Sequence, residues 1–147
     1  MRKLITAAAC AVALAIPVAD AAAALETTAV QAAPKKKVIV VTKTVTGQPV
    51  QADRWGNVQV TLVVKKTTTI VGTKKTVVRK ITGVKVPVYP NHTDRSVFIN
   101  QQALPMLVQE TLTAQFTGGI NMIGGASNTS DAFIQSLQGA IAVALRI

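Results

Sequence analysis

Between Lys37 and Val86 the chain carries three runs crowded with valine, isoleucine and threonine, parted by turn residues. Lys37-Val-Ile-Val-Val-Thr-Lys-Thr-Val-Thr46 ends at Gly47-Gln-Pro49, Asn57-Val-Gln-Val-Thr-Leu-Val-Val64 follows Arg54-Trp-Gly56, and a third run spans Thr76 to Val86. β-Branched side chains are stiff at χ1 and fit a pleated surface better than a helix, so each run predicts a strand. Val58, Val60, Leu62 and Val64 alternate with Gln59, Thr61 and Val63, which predicts one buried face and one mostly wet face. Three strands in succession imply an antiparallel meander.

The second half changes period. Ser96 to Gln115 carries Phe98, Leu104, Leu107, Val108 and Leu112 near helical spacing. Pro105 lacks an amide hydrogen, so it either kinks this helix or opens a second one at its first turn. Asp131 to Leu145 predicts a further helix, with Phe133, Leu137, Ala140, Ile141 and Ala144 on one face and Gln135 and Gln138 off it. The expected fold is α+β: an antiparallel β-meander with two or three helices packed on one face.

The N-terminus predicts export. Met1-Arg-Lys3 is a positive n-region, Leu4 to Val18 is almost wholly apolar, and Ala19-Asp-Ala21 reads as a small-x-small cleavage site. The apolar run is shorter than the roughly 20 residues of a spanning helix. Residues 1–21 are therefore expected to be a signal peptide, 22–36 a flexible leader and 37–147 the folded domain. The expected location is extracellular or the cell envelope. The single cysteine, Cys10, leaves with the signal peptide, so the core has neither a disulfide nor a thiolate ligand to support it.

Charge is uneven. The chain carries a net +10, and twelve bases lie between Lys35 and Lys85 against one acid, Asp53. Lysines on the solvent face blunt strand edges. The same asymmetry suits an anionic partner, such as a cell-wall polymer or a membrane surface, met by Lys35, Lys36, Lys37, Lys65, Lys66, Lys74 and Lys75. One tryptophan and one tyrosine give no stacking platform for nucleic acid. The one histidine, His92, sits in a turn-rich loop, and the acids are scattered without metal-ligand spacing. No catalytic residue and no metal site is expected, which favours a carrier over a substrate-converting enzyme.

One element remains: Ile123-Gly-Gly-Ala-Ser-Asn-Thr-Ser-Asp-Ala-Phe133, where a loop becomes the last helix. Gly124 and Gly125 permit close backbone approach, and Ser127, Asn128, Thr129 and Ser130 are all good N-cap residues. One reading is plain capping. The other is a phosphate cradle, because free first-turn amides and the helix dipole favour an anion.

Taken in order, several segments resemble the FMN-binding domain family, found in small exported flavoproteins and in subunits of sodium-translocating NADH:quinone reductase and Rnf-type complexes. They are Trp55-Gly-Asn-Val-Gln-Val60, Ile81-Thr-Gly-Val84, Ser96-Val-Phe-Ile-Asn100, Ala103-Leu-Pro-Met-Leu107, Gly124 to Phe133, and Ser136-Leu137 with Ala140. The resemblance runs from about Arg54 to the C-terminus. It implies an exported electron-transfer relay carrying FMN, partnered by a membrane oxidoreductase or another flavoprotein. In covalent members a threonine after the motif alanine bears FMN through a phosphoester, installed by a flavin transferase. That position is Ser127 here, the motif's acidic position is Asn121, and its hydroxyl position is Gly124, whereas Gly125, Ala126, Thr129 and Ser130 keep the pattern. The resemblance thus implies FMN held over Gly124 to Ser130, either covalently through Ser127 or non-covalently. Gly56, Trp55 and Arg95 are implied contacts of the ring or phosphate. A flavin-free domain of the same fold, attached to anionic envelope polymers through its basic sheet, is the alternative.

Overall fold

The computed structural model describes residues 34–147. The expected signal peptide over 1–21 and most of the expected 22–36 leader lie outside them; Lys36, assigned by sequence to the leader, is already the first residue of a strand. Four strands, β1 (Lys36–Thr46), β2 (Val50–Gln51), β3 (Asn57–Val71) and β4 (Lys74–Val88), form an antiparallel sheet in which every other strand pairs with β3. Two helices follow, α1 (Asp94–Ala114) and α2 (Ser127–Ala144). The fold is α+β, with the expected meander and two helices.

The alternation read from sequence orders the core. Val58, Val60, Leu62 and Val64 are buried on β3, beside Val45 of β1 and Ile81 of β4. Phe133, Leu137, Ala140, Ile141 and Ala144 of α2 close over them in the same cluster, which Leu107 of α1 joins. Two expectations need correcting. β3 does not stop at Val64: it runs on through Lys65-Lys-Thr-Thr-Thr-Ile-Val71, because β1 and β4 pair with it along both edges. The β3–β4 turn is two residues long, and Gly72 has the left-handed φ of +59° that the primed hairpin turns require at their first position. On α1 Leu107 is buried and Leu104 and Leu112 pack against the core as expected, but Phe98 is 64% exposed, and Ser96, Asn100, Ala103 and Thr111 complete the buried face. Small and polar side chains turn inward there. Of the two outcomes open at Pro105, no second helix starts; α1 is continuous through it.

Two side chains fasten the helices to the sheet. Gln115, just past α1, accepts from the Ile81 amide (2.8 Å) and donates to its carbonyl (3.1 Å), so it covers part of the β4 edge. Ser136 of α2 is fully buried at the break between β1 and β2. Its hydroxyl accepts from the Val60 amide (2.9 Å) and donates to the Gln48 carbonyl (2.7 Å), taking the place of a ladder bond that the break removes. Gly47 makes room for this: a Cβ there would overlap the Ser136 carbonyl. Ser136→Ala leaves the buried Val60 amide unpaired and frees the part-buried Gln48 carbonyl, and we expect it to lower unfolding free energy by about 1–3 kcal/mol in a denaturant titration. An unchanged midpoint would mean that the hydroxyl does not carry this junction.

Candidate functional site

The site forms where the β3 and β4 ends nearest the helix starts come together. Gln59 pairs with Val88, so the turn before β3 and the loop after β4 lie at the same end of the sheet. Before β3, Asp53–Trp55 makes a single 3-10 turn. Gly56 leaves that turn with φ +115°, a left-handed value suited to glycine. After β4, Pro90 leads to Thr93, whose hydroxyl caps α1 by accepting from the Ser96 amide (3.1 Å). The loop into α2 is tied down from two sides. The Asn121 amide donates to Glu110 (2.8 Å), and the Ile123 amide donates to the Ser130 hydroxyl (3.1 Å).

These elements enclose an open cleft of about 540 Å³, within the size range of small-molecule sites. One wall is Arg54, Trp55 and Pro90; a second is the start of α1, from Arg95 and Ser96 to Ile99 and Asn100. The floor is the entry to α2, Gly125 to Thr129. The lining holds two arginines and no carboxylate. The Arg54 guanidinium lies 5.3 Å from the Trp55 ring centroid, and His92 stacks on the same indole at 6.3 Å and 25°. Trp55 thus already has π partners inside the chain.

The start of α2 differs from the capped helix that the hydroxyl cluster suggests. None of Ser127, Asn128, Thr129 or Ser130 is the N-cap; that position is Ala126, which has no side-chain oxygen to offer. Ser127 is the first helical residue, four before Asp131, so Asp131 lies beyond the first turn and instead accepts from Gln135 (2.8 Å). The Ser130 amide reaches the Ala126 carbonyl (2.9 Å). The amides of Ser127, Asn128 and Thr129 precede any possible intrahelical acceptor and have no capping side chain. Three donors at the positive end of the dipole therefore border a cleft flanked by arginines.

Of the residues singled out by sequence, Trp55, Arg95, Gly125, Ala126, Ser127, Asn128 and Thr129 come together around this cleft. Gly124, Ser130 and Gly56 do not line it. Ser130 is fully buried with its hydroxyl engaged by Ile123. Gly56 shapes the turn that presents Arg54 and Trp55. Ile99, Pro90, Arg54 and Asn100 join the lining without having been singled out as contacts. Ile99 and Asn100 lie within the segment Ser96 to Asn100 that carries part of the resemblance, but no spacing marked either as a contact. Compared with models of known families and with curated proteins, the chain matches none.

Proposed function

We propose that this domain binds FMN in the cleft and serves as an electron-transfer relay. The observation that supports this reading best is the uncapped start of α2: three free amides beside Arg54 and Arg95, with no carboxylate in the lining. A phosphate monoester is complementary to that donor set, because amides and guanidinium groups both donate and its dianion meets the dipole end-on. The residues fit the rest of the cofactor as well: Ile99 and Trp55 in the lining give an apolar flank for a planar ring, and the volume suits a ligand of that size. Bound flavin supplies the one- and two-electron chemistry, which the chain's own side chains lack.

The chain's residues divide the work of holding it. The Ser127 to Thr129 amides orient the phosphate, and Arg95 and Arg54 balance its charge. Ser127 is exposed at the first helical position, so its hydroxyl stands where a flavin transferase would need an acceptor. An export route and a membrane oxidoreductase or second flavoprotein as partner belong to the same proposal. To test it, the full chain is made in a host with a flavin transferase, and the visible spectrum is recorded before and after denaturation and filtration. We expect yellow protein. Colour that stays with the denatured chain and is lost in Ser127→Ala marks the covalent form; colour that passes the filter marks the non-covalent form. A colourless protein that takes up no added FMN contradicts the proposal.

A second reading, flavin-free attachment to an anionic envelope polymer, draws support from the far half of the sheet. There Lys65 pairs directly with Lys80 and Lys66 with Arg79. Like charges at such positions destabilise a sheet; Arg79 donates to the Ile147 main-chain oxygen (3.1 and 2.9 Å), and no acidic side chain lies between Arg54 and Thr93 to relieve the lysines. Cations occupy both faces of this ribbon, which suits a flexible polyanion that wraps better than a planar bilayer. Binding to an immobilised poly(glycerol phosphate) should fall at least about tenfold between about 0.05 M and 0.5 M salt, as screening shortens. Salt-insensitive retention rules this reading out.

A further inference from the structure

Three buried hydroxyls of the two helices have partners. Ser96 is met by Thr93 (2.8 Å), Thr111 donates to the Leu107 carbonyl (2.7 Å), and Ser130 accepts from Ile123. Asn100 is 1% exposed, and among the described residues its Oδ1 is the only buried side-chain polar atom without a hydrogen bond. Its orientation is not free. Nδ2 donates to the Pro90 carbonyl at 2.7 Å, and because a carbonyl can only accept, the amide must keep its nitrogen on that side. The oxygen is thereby held as a lone acceptor on a residue that lines the cleft.

An unpaired buried acceptor is costly, and a leucine would fill this position on the inner face of α1 without that cost. We infer that Asn100 is a specificity-determining residue of the cleft, whose Oδ1 receives a neutral N–H or O–H donor from the bound ligand. The inference rests on the flavin reading. Amides and arginines at the start of α2 take the anionic end of the ligand, while Asn100 demands a donor elsewhere on the same molecule. A simple phosphate satisfies the first requirement only. FMN satisfies both, through the ring imide N–H or the ribityl 2′-hydroxyl.

The test compares equilibrium binding of FMN, N3-methyl-FMN and 2′-deoxy-FMN to the flavin-free full chain. One analogue should bind the native chain about tenfold or more weakly than FMN, which identifies the donor. Asn100→Leu should weaken FMN to the level of that analogue and bind the two alike. If both analogues bind the native chain as FMN does, Oδ1 does not read the ligand and the inference is overturned, with the flavin reading intact; this comparison needs no variant to fold. Discrimination that survives in Asn100→Leu overturns it equally. If FMN itself does not bind, the flavin reading fails first and the inference with it.

Discussion

A single serine hydroxyl sets where the helical layer meets the sheet. At the break between β1 and β2 the backbone loses ladder partners, and Ser136 supplies them from α2 while Gly47 lets the helix backbone close in. A hydrophobic contact would tolerate sliding; a hydroxyl wedged between a fixed donor and a fixed acceptor does not. The axial position of α2 follows, and with it the place where its first three amides emerge. Those amides border the cleft with Arg54, Trp55 and Arg95, nine residues before the hydroxyl that pins the helix.

The molecule has two chemically distinct ends. The turn before β3 and the loop after β4 build the cleft, whereas the Gly72–Thr73 turn lies at the opposite end of a strand of 15 residues. At about 3.3 Å per residue that separates them by roughly 45 Å. The cleft gathers donors around one open volume, and the far ribbon spreads lysines over both faces of a sheet the helices leave uncovered. There Val38 and Val78 are half exposed or more. An attachment made through the ribbon would leave the cleft open to a redox partner.

Much of this was legible in the sequence because burial follows period. Val58 to Val64 alternate, and Phe133 to Ala144 recur at helical spacing, so both the inner face of β3 and that of α2 could be named from sequence alone. β3 beyond Val64 was not legible, since Lys65 to Thr69 carry no apolar alternation and owe their strand to two neighbours. Nor was the polar part of the buried face of α1. Phe98 looks like a core residue by type, yet Ser96, met by Thr93, and Asn100, whose Nδ2 donates to the Pro90 carbonyl, take the inward positions. In the site, the glycine-alanine-hydroxyl segment marked the helix start. Composition gave no sign that Ser130 turns inward, or that Arg54 and Pro90 join the cleft through a positive-φ turn and a distant loop.

The central claim is that the entry to α2 receives the phosphate of a flavin. Backbone amide chemical shifts of the flavin-free chain, followed during FMN titration, test it most directly. The amides of Ser127, Asn128 and Thr129 should move furthest and in step, with the Trp55 and Asn100 side chains, while β3 from Lys65 to Val71 stays still. Shifts centred on the lysine-bearing strands, or none at the start of α2, would contradict it.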